Sequence, residues 1–579
     1  MSGNEAVARG AWEAGVAVGV GYPGTPSTEV LENLATYPSV HCEWAPNEKV
    51  AAEVAAGVSL GGKRVLVTMK HVGLNVAADP VFTLAYTGVG GGYVLYVADD
   101  PGMHSSQNEQ DSRNYAAFAK VPMLEPSDSV EALEFTRAAF ELSERFDTPV
   151  LVRSTTRVSH SKAPVEPGER DEVAKAASFV PDVDKWVMMP AMAQRRRRVL
   201  ARRSEQLAAF AESTALNRIE WRDSSYGIIT AGIAYDYVRE ALPEASVLKL
   251  GMVNPLSRDM LREFAAGVEH LAVVEELDPY IATHVRALGI PVIETGVPEM
   301  GELTPGLVAA AFGAPAPEVR EPFGDLPPRP PLLCPGCPHR GVFWALGKLK
   351  ATVTGDIGCY TLGALPPLSA MHACVDMGAS IGMAYGMELA GSSDGPVVAV
   401  IGDSTFAHSG ITGLLNMVYN GSAGTVVILD NRTTAMTGHQ GNPVSGIRLD
   451  GTPAPALDLE ALASALGAAS VVTVDAFDLT GMQAALKRAI AEAGVSVVIA
   501  KAPCALVSAM AEPPYAVDEE RCTACGACVR IGCPAIMKTP SGRPTIDAAT
   551  CVGCGLCVQL CRVAAIVPGG PACDVEGGA

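Results

Sequence analysis

Apolar and polar positions follow a regular alternation along the first 160 residues. "KRVLVTM" (63–69) and "GGYVLYVADDPG" (91–102) carry nearly continuous apolar runs, as strands buried on both faces do. "SVEALEFTRAAFELSERF" (129–146) spaces its apolar residues by three and four after a Ser/Asp cap, which predicts a helix. Strands and helices in turn predict a parallel α/β domain over residues 1–160.

The pattern is interrupted and then returns twice. The later segments that it predicts are a connecting helical segment, 161–222; a second α/β domain, 223–320; a linker, 321–333; a third α/β domain, 334–512; and a cysteine-rich tail, 513–579. The linker "EPFGDLPPRPPLL" holds five prolines, which disfavour both helix and sheet. For "RRRR" (195–198) a solvated helix is favoured over a basic patch for an acidic partner.

Composition narrows the functional classes. The chain has 579 residues, a length that fits three to five domains, and a formal charge of −20, which disfavours general nucleic-acid binding. The opening "MSGNEAVARG" has no apolar signal region, and no run of about 18 apolar residues predicts a membrane span. The 15 cysteines are grouped at metal-type spacings, which indicates ligation in a reducing cytoplasm.

Eight cysteines of the tail form two similar runs. They are Cys522, Cys525, Cys528 and Cys533, and then Cys551, Cys554, Cys557 and Cys561. Three thiolates at C-x₂-C-x₂-C spacing suit three irons of a cubane, and the trailing cysteine reaches a fourth iron. Two zinc sites are the alternative, although zinc sites rarely use this spacing.

These runs resemble those of two-cluster bacterial ferredoxins, in which the trailing cysteine of each run serves the other cluster. The resemblance implies two [4Fe–4S] clusters, one on Cys522, Cys525, Cys528 and Cys561, the other on Cys551, Cys554, Cys557 and Cys533. Two departures stand out. Four residues precede Cys533 where three are usual, and Arg562 replaces the usual proline.

The third domain contains a strand that ends at "GDS" (402–404) and a second strand that ends at "DN" (430–431), about 28 residues further on. An ordinary nucleotide-type strand end is the alternative for "GDS" alone. Together, the two features resemble the thiamine diphosphate-binding motif. That resemblance implies Mg²⁺ held by Asp403, Asn431 and the carbonyl of Thr433, with hard oxygen ligands as Mg²⁺ prefers.

Glycines and a helix start complete this predicted cofactor site. Gly402 allows close backbone approach and Ser404 lies in the same turn, while the following helix start favours the diphosphate anion. "DMGASIG" (376–382) opens another helix, and Gly378 is expected to add amide groups to the same diphosphate.

Thiamine enzymes of this kind also use a glutamate against the aminopyrimidine ring, with a glycine nine residues later. "NEKVAAEVAAG" (47–57) places Glu48 and Gly57 at this spacing. The apolar surroundings expected for Glu48 would raise the pKa of its carboxyl group and ease proton sharing. Glu53 in the same helix is the competing residue, and a surface position for Glu48 is the other alternative.

Four further stretches identify the wider family. "GYPGTPSTEV" (21–30), "CPGCPHR" (334–340), "GDIGCYTLG" (355–363) and "LDNRTTAMTGHQ" (429–440) resemble segments of the 2-oxoacid:ferredoxin oxidoreductases. With "PNEKVA" and the fused tail, they are most similar to large (alpha) subunits of the indolepyruvate branch. The resemblance spans nearly the whole chain and is weakest over 161–222. It implies multidomain α/β thiamine-binding folds with a ferredoxin-like C-terminal domain.

The resemblance implies oxidative decarboxylation of arylpyruvates with coenzyme A, in which soluble ferredoxin takes the electrons. It also implies a smaller beta (gamma-type) subunit in an α2β2 assembly. Pyruvate or a branched-chain 2-oxoacid is the alternative substrate. A non-catalytic electron-transfer subunit is the alternative from another class, disfavoured by the presence of Glu48 with Asp403 and Asn431.

A third, cofactor-proximal [4Fe–4S] cluster is also implied, because related pyruvate enzymes place one on cysteines at corresponding positions. Its ligands would be Cys334, Cys337, Cys359 and Cys504. A zinc site or buried inert thiols are the alternatives. Cys42, Cys374 and Cys573 are left as structural.

Smaller expectations complete the predicted site. The residues concerned are Thr25, near cofactor and substrate; His71 and His439, as substrate or acid–base contacts; and Thr437 and Gln440, near the cofactor. A structural, hydrogen-bonded role is the alternative for each histidine. "HSSQNEQDSR" (104–113) is expected at the mouth of the site, with Arg113 facing a substrate carboxylate.

Overall fold

The computed structural model describes residues 1–171, 179–315, 330–391, 395–508 and 512–569. The chain forms two compact units, Met1–Gly324 and Asp325–Ala579. Residues 321–329 of the predicted linker and Cys573 lie outside the described residues. Among the described residues, no helix combines the length and the apolar character needed to cross a membrane.

A seven-stranded sheet organises the first unit. In sheet order its strands are Met252–Asn254, Met123–Leu124, Val150–Thr155, Tyr93–Asp99, Val65–Lys70, Val18–Gly21 and His41–Trp44. The pairings are parallel except at the edge strand Met252–Asn254. Every residue of Val65–Lys70 and Tyr93–Asp99 is buried, which explains their apolar runs.

Helices cover this sheet. They are Gly3–Glu13, Thr28–Leu34, Glu48–Leu60, His71–Val76, Ala78–Thr87, Arg113–Ala119, Ser129–Phe146 and Thr156–His160. The predicted helix Ser129–Phe146 is present, and the Asp128 side chain caps it by accepting the Glu131 N–H at 2.8 Å.

A smaller sheet follows in the same unit. Its strands, in sheet order, are His270–Val274, Asp223–Ala231, Ala245–Leu250 and Arg218–Glu220, and its helices are Ala234–Ala241, Arg258–Ala266, Tyr280–Ala287 and Pro305–Ala311. The chain leaves this sheet after Leu250, and Met252–Asn254 then joins the edge of the seven-stranded sheet. The bounds proposed for the individual domains stay predictions.

The connecting segment contains the helices Val183–Trp186 and Pro190–Ala211. Of the four consecutive arginines, Arg195, Arg197 and Arg198 are exposed, but Arg196 donates to the Tyr86 carbonyl at 2.7 Å and the Thr87 carbonyl at 2.8 Å. The expected solvated helix is therefore present, except that Arg196 on one side of it caps the end of the helix Ala78–Thr87 by donating to its last carbonyl groups.

Arg203 on the same helix is buried and donates to the Ala85 carbonyl at 2.6 Å. We expect Arg203→Met to destabilise the first unit by about 2 kcal/mol, because the buried carbonyl loses its donor. The neighbouring Arg202 is exposed and supplies a matched control. The free energy of unfolding of Arg202→Met should stay within about 0.5 kcal/mol of the wild-type value. Differential scanning calorimetry measures both, and equal transition temperatures for the two variants would contradict the anchoring role.

A six-stranded parallel sheet organises the second unit. In sheet order its strands are Ala373–Cys374, Thr352–Gly355, Val397–Gly402, Thr425–Asp430, Ser496–Lys501 and Ser470–Asp475. Its helical elements are His339–Leu349, Cys359–Ala364, Ala379–Ala390, Asp403–Thr405, the π-helical turn Phe406–Gly410, Ile411–Tyr419, Leu459–Ala465 and Leu479–Ala491. Adjacent parallel strands end at one edge, which brings the segments after Gly402 and Asp430 together.

The tail folds around a small apolar core. Two antiparallel pairs, Tyr515–Val517 with Ile566–Pro568 and Ile536–Lys538 with Pro544–Ile546, flank the short helices Val529–Ile531 and Leu556–Leu560. Buried Ile531, Leu556 and Ile566 pack with Cys528 and Cys557. The α/β class with a ferredoxin-like tail, predicted from the sequence, is confirmed.

Candidate active site

Three predicted cation ligands converge at the carboxyl edge of the six-stranded sheet. The end of the Asn431 amide lies 3.2 Å from Asp403 Oδ1 and 2.9 Å from the Thr433 carbonyl oxygen. With the amide oxygen at that position, three oxygens face one another, which a hard cation stabilises. With the amide turned over, its NH₂ group donates to both acceptors instead. The oxygen cluster of Asp403, Asn431 and Thr433 therefore fits Mg²⁺.

The electrostatics of Asp403 agree with this fit. Burial raises the pKa of Asp403 to about 8, and the neighbouring Asp430 carboxylate adds to the increase. The backbone N–H groups of Ser404, at 2.6 Å, and Arg432, at 2.9 Å, oppose that increase by donating to the carboxylate. A cation at the oxygen cluster would keep this buried carboxyl group ionised.

Gly402 allows close packing at the strand end. A Cβ atom at Gly402 would lie 2.7 Å from Cε1 of Tyr360, so a side chain there would displace the ring. The Tyr360 hydroxyl group lies 3.2 Å from Thr405 Oγ1, and Ser404 Oγ accepts from Thr434 Oγ1 at 3.0 Å. The turn after the strand is thus held against the loop that carries Thr433.

That loop, residues 431–442, folds back on itself. The Thr434 N–H donates to the Gln440 carbonyl at 3.0 Å, and Thr437 Oγ1 donates to Gln440 Oε1 at 2.7 Å. His439 is half-buried with a left-handed backbone, φ 66°. Thr437, His439 and Gln440 therefore share one loop with a predicted metal ligand, and their roles stay predictions.

The helix Ala379–Ala390 differs from expectation at its start. The N–H groups of Gly378 and Ser380 each donate to Asp356 Oδ1 at 2.9 Å. Burial raises the pKa of Asp356 to about 6. Since these amides bind a carboxylate of the chain, a diphosphate contact from Gly378 requires that Asp356 move. A single aspartate after a strand forms no recognisable motif, so the sequence alone does not identify Asp356.

Glu48 begins the helix Glu48–Leu60 and is 6% exposed. Its carboxylate packs directly on Gly73, where a Cβ atom would lie 2.6 Å from Glu48 Oε1. Glu53, the competing residue, is exposed and pairs with Lys49. Glu48 is therefore the enclosed carboxyl group of this helix.

Lys70 is a buried cation near Glu48 that sequence reasoning missed. Burial lowers the pKa of its ammonium group to about 8, against the opposing effect of the Asp100 and Glu48 carboxylates. Its Nζ donates to the Ser105 carbonyl at 2.9 Å, and a Cβ atom at Gly24 would lie 3.2 Å from its Cδ. Lys70 thus links the glutamate to the "YPGT" turn, although it stands in the sequence as one residue of an apolar strand.

Thr25 and His71 lie on neighbouring segments. The Thr25 carbonyl accepts from Ser105 Oγ at 3.2 Å. His71 is buried with Nε2 3.2 Å from the Asn108 carbonyl, and burial lowers the pKa of its imidazole, which favours the neutral ring. Within the described residues His71 Nδ1 is buried with no hydrogen-bond partner. Direct roles for Thr25 and His71 stay predictions.

Arg113 does not face a substrate. Its side chain is 1% exposed, and its guanidinium donates to Asp111 and, at 2.7 Å, to Glu275 Oε2. Further donors reach the carbonyls of Glu276 and Asp278. The expectation that Arg113 contacts a substrate carboxylate is wrong, because its guanidinium already forms ion pairs with carboxylates of the chain.

Four predicted thiol ligands of the proximal cluster interact electrostatically. Burial raises the pKa of Cys337 to about 12 and of Cys359 to about 11. Cys334 and Cys359 add to the increase at Cys337, and Cys334 and Cys504 add to it at Cys359. Mutual repulsion of this kind indicates that these thiols lie near one another, and a metal cluster there would hold them as thiolates.

This proximal thiol set (Cys334, Cys337, Cys359 and Cys504) is attached to the oxygen cluster. The Cys504 N–H donates to the Asn431 carbonyl at 3.1 Å. Cys359 immediately precedes Tyr360, whose ring packs on Gly402. The segments that carry Cys504 and Cys359 therefore contact the segments that carry the predicted Mg²⁺ ligands Asn431 and Asp403.

The tail cysteines group as two-cluster ferredoxins would place them. Cys533, Cys551 and Cys554 each add to the raised pKa of Cys557, and the four line one cavity. Cys522 and Cys525 act in the same way on Cys528. Cys561 Sγ accepts from the Ala565 N–H at 3.1 Å. The inner thiol set (Cys533, Cys551, Cys554, Cys557) thus crosses between the runs. The outer thiol set is Cys522, Cys525, Cys528 and Cys561, as the ferredoxin resemblance implies, and the place of Cys561 in it stays a prediction.

A mononuclear zinc site is the alternative for these cysteines. In the described part of the chain, no three His, Cys, Asp or Glu side chains are placed to hold a single metal ion. A single zinc ion binds each sulfur at a Zn–S distance of about 2.3 Å. Four thiolates around one ion therefore lie closer to one another than four thiolates around a cubane.

The proximal thiol set can be tested by counting iron. We expect about twelve iron atoms per chain after anaerobic purification, four for each of three clusters. Cys359→Ser should lower the count to about eight. Cys374→Ser, at another half-buried thiol of the same sheet domain, should leave it unchanged. A wild-type count of about eight that Cys359→Ser does not alter would contradict a cluster on this set.

Comparison with known families agrees with this division. Residues 9–197 match the family "Pyruvate flavodoxin/ferredoxin oxidoreductase, thiamine diP-bdg". Residues 356–500 match "Thiamine pyrophosphate enzyme, C-terminal TPP binding domain", and residues 544–567 match "4Fe-4S binding domain". A thiamine-binding domain and an iron–sulfur domain are therefore confirmed.

Curated relatives match along the whole chain. "Indolepyruvate oxidoreductase subunit IorA" of Methanothermobacter thermautotrophicus is 43% identical, over 98% of this chain and 97% of that one. The subunits of the same name from Archaeoglobus fulgidus (40% identical, 98% and 97% covered) and Thermococcus kodakarensis (41%, 98% and 96%) are similarly related. The chain therefore belongs to the IorA family of indolepyruvate oxidoreductase subunits, within the 2-oxoacid:ferredoxin oxidoreductases.

Proposed function

We propose that this chain is the large, catalytic subunit of an arylpyruvate:ferredoxin oxidoreductase. It converts indolepyruvate, phenylpyruvate and hydroxyphenylpyruvate with coenzyme A to aryl-acetyl-CoA and CO₂. Each turnover releases two electrons, which two oxidised ferredoxins take up, and one proton. The observation that carries this proposal is the 43% identity, along 98% of the chain, to a subunit named for indolepyruvate.

The oxygen cluster supports a catalytic rather than a purely electron-carrying role. Asp403, Asn431 and the Thr433 carbonyl present hard oxygen ligands for Mg²⁺, which in turn binds a diphosphate. Bound thiamine diphosphate supplies the carbon nucleophile and electron sink that decarboxylation of a 2-oxoacid needs. An electron-transfer module has no use for these three ligands on one edge of a sheet.

Glu48 is the residue that we assign to cofactor activation. Its burial at a helix start keeps water from the carboxyl group, so that it can share a proton with N1′ of an aminopyrimidine ring. The Asn47 cap, which accepts the Val50 N–H at 2.9 Å, fixes the helix start and with it the position of Glu48.

The cysteines form the electron path in this proposal. The proximal thiol set takes electrons next to the oxygen cluster, and the inner and outer thiol sets of the tail deliver them to soluble ferredoxin. Cluster-bound cysteines suit a reducing compartment, and the cytoplasm is the compartment that this proposal assigns to the enzyme. A smaller gamma-type subunit completes an α2β2 assembly.

The test is an anaerobic assay of this chain purified with its smaller subunit, in which CoA-dependent dye reduction is followed. We expect the highest kcat/KM for indolepyruvate and phenylpyruvate, and lower values for pyruvate and 2-oxoisovalerate. Glu48→Gln should lose about 100-fold or more in kcat, since proton sharing at the cofactor is lost. Glu53→Gln, an exposed glutamate of the same helix, should retain the wild-type rate within about twofold.

Two results would overturn the proposal. A preference for pyruvate or 2-oxoisovalerate would contradict the substrate class. Equal activity of Glu48→Gln and the wild type would contradict the assigned role of Glu48.

A further inference from the structure

Arg340 is the second residue of the helix His339–Leu349 and is 3% exposed. On one side its guanidinium donates to the Leu333 carbonyl and, through Nε at 3.3 Å, to the Cys334 carbonyl. On the other side Nη1 donates to the carbonyls of Gly532 and, at 3.3 Å, Ile531. One buried cation therefore joins a segment close to it in the chain to one that lies 191 to 192 residues further on.

Each of these segments carries predicted cluster ligands. Cys334 and Cys337 belong to the proximal thiol set, and Cys533 follows Gly532 in the inner thiol set. The guanidinium interacts electrostatically with all three and with Cys554. Arg340 also lines the cavity that the inner thiol set encloses. It thus lies between the two sets.

The charge of Arg340 has no carboxylate counter-ion in the described part of the chain. Its hydrogen bonds there go to peptide carbonyl groups. Arg113 in the first unit shows the contrast, because Asp111 and Glu275 compensate that buried guanidinium. A buried cation held only by neutral dipoles is costly unless negative charge is near. A cubane with four thiolate ligands is anionic and supplies that charge.

We propose that Arg340 is a positioning residue that acts as the common counter-cation of two clusters, one on the proximal and one on the inner thiol set, and raises the reduction potentials of both. This inference rests on the proposed electron path. In the step concerned, one electron leaves the proximal cluster, which is oxidised, and enters the inner cluster, which is reduced. No bond is made or broken and no proton moves. Each cluster gains one negative charge when it is reduced, and Arg340 stabilises that charge on either cluster.

The outer thiol set provides an internal comparison. The charged side chain that acts on Cys525 there is Arg530, which is exposed. Water and salt screen an exposed charge far more than a buried one. The two arginines therefore allow the same change of charge to be made in a buried and in an exposed place.

The experiment is a reductive titration of the anaerobic full chain, followed by electron paramagnetic resonance, with iron counted in every sample. The chemical reductant replaces the oxoacid, so the result does not depend on the substrate. In Arg340→Gln we expect the midpoint potentials of the proximal and inner clusters to fall and that of the outer cluster to stay unchanged. At fixed potential, the reduced-to-oxidised ratio of those clusters should drop about tenfold, or about 59 mV. In Arg530→Gln, all three ratios should stay within about twofold of the wild type.

Unchanged potentials in Arg340→Gln with full iron content would overturn the proposal, as would an equal shift of all three clusters. Should Arg340→Gln lose iron, Arg340→Lys decides, because it keeps the charge and loses the planar fork. The proposal requires Arg340→Lys to retain its iron with potentials near the wild type. Arg340→Lys could instead lose iron, or its potentials could fall to the values expected for Arg340→Gln. Either result would contradict the proposal, because it would show that the hydrogen bonds of the planar guanidinium, and not its charge, are required. An inactive chain with these potential shifts intact would contradict only the proposed reaction.

Discussion

Two adjacent parallel strands, Val397–Gly402 and Thr425–Asp430, end at the same sheet edge, and this register is the constraint on which the second unit depends. It sets the end of the Asn431 amide 3.2 Å from Asp403 Oδ1 and 2.9 Å from the Thr433 carbonyl oxygen. The same edge anchors two cysteine segments, through the Cys504 N–H on Asn431 and through Tyr360 on Gly402. The proposed cofactor site and the proposed electron acceptor site therefore depend on one strand pairing.

Buried charge separates structural from functional residues in this chain. Arg113 and Arg153 are fully buried, but acidic side chains of the chain surround them, so they hold the fold together. Asp403 and Arg340 are buried with backbone groups as their hydrogen-bond partners. In our proposal, an ion or a cluster of opposite charge completes the electrostatics of each of them. Incomplete charge compensation would then mark the places where cofactors bind.

The sequence was informative wherever chemistry is local. The apolar runs of the central strands, the capped helix Ser129–Phe146 and the cysteine spacing of the tail each depend on residues close together in the chain. The burial and ion pairing of Arg113 depend on Glu275, which is 162 residues away in the chain. No local pattern in the sequence reveals this contact. Arg203 with Ala85, Gly378 with Asp356, and Lys70 near Glu48 are further contacts of this kind. Sequence therefore located the candidate ligands, and the fold determined which charges are free to act.

The central claim is that the oxygen cluster holds Mg²⁺ and thiamine diphosphate. It is tested most directly by the thiamine diphosphate released on denaturing anaerobically purified, desalted protein. Asp403→Asn should retain about tenfold less cofactor than the wild type. Asp475→Asn, which changes an exposed aspartate at the end of another strand of the same sheet, should retain the wild-type amount. Equal cofactor content in Asp403→Asn and the wild type would contradict the account.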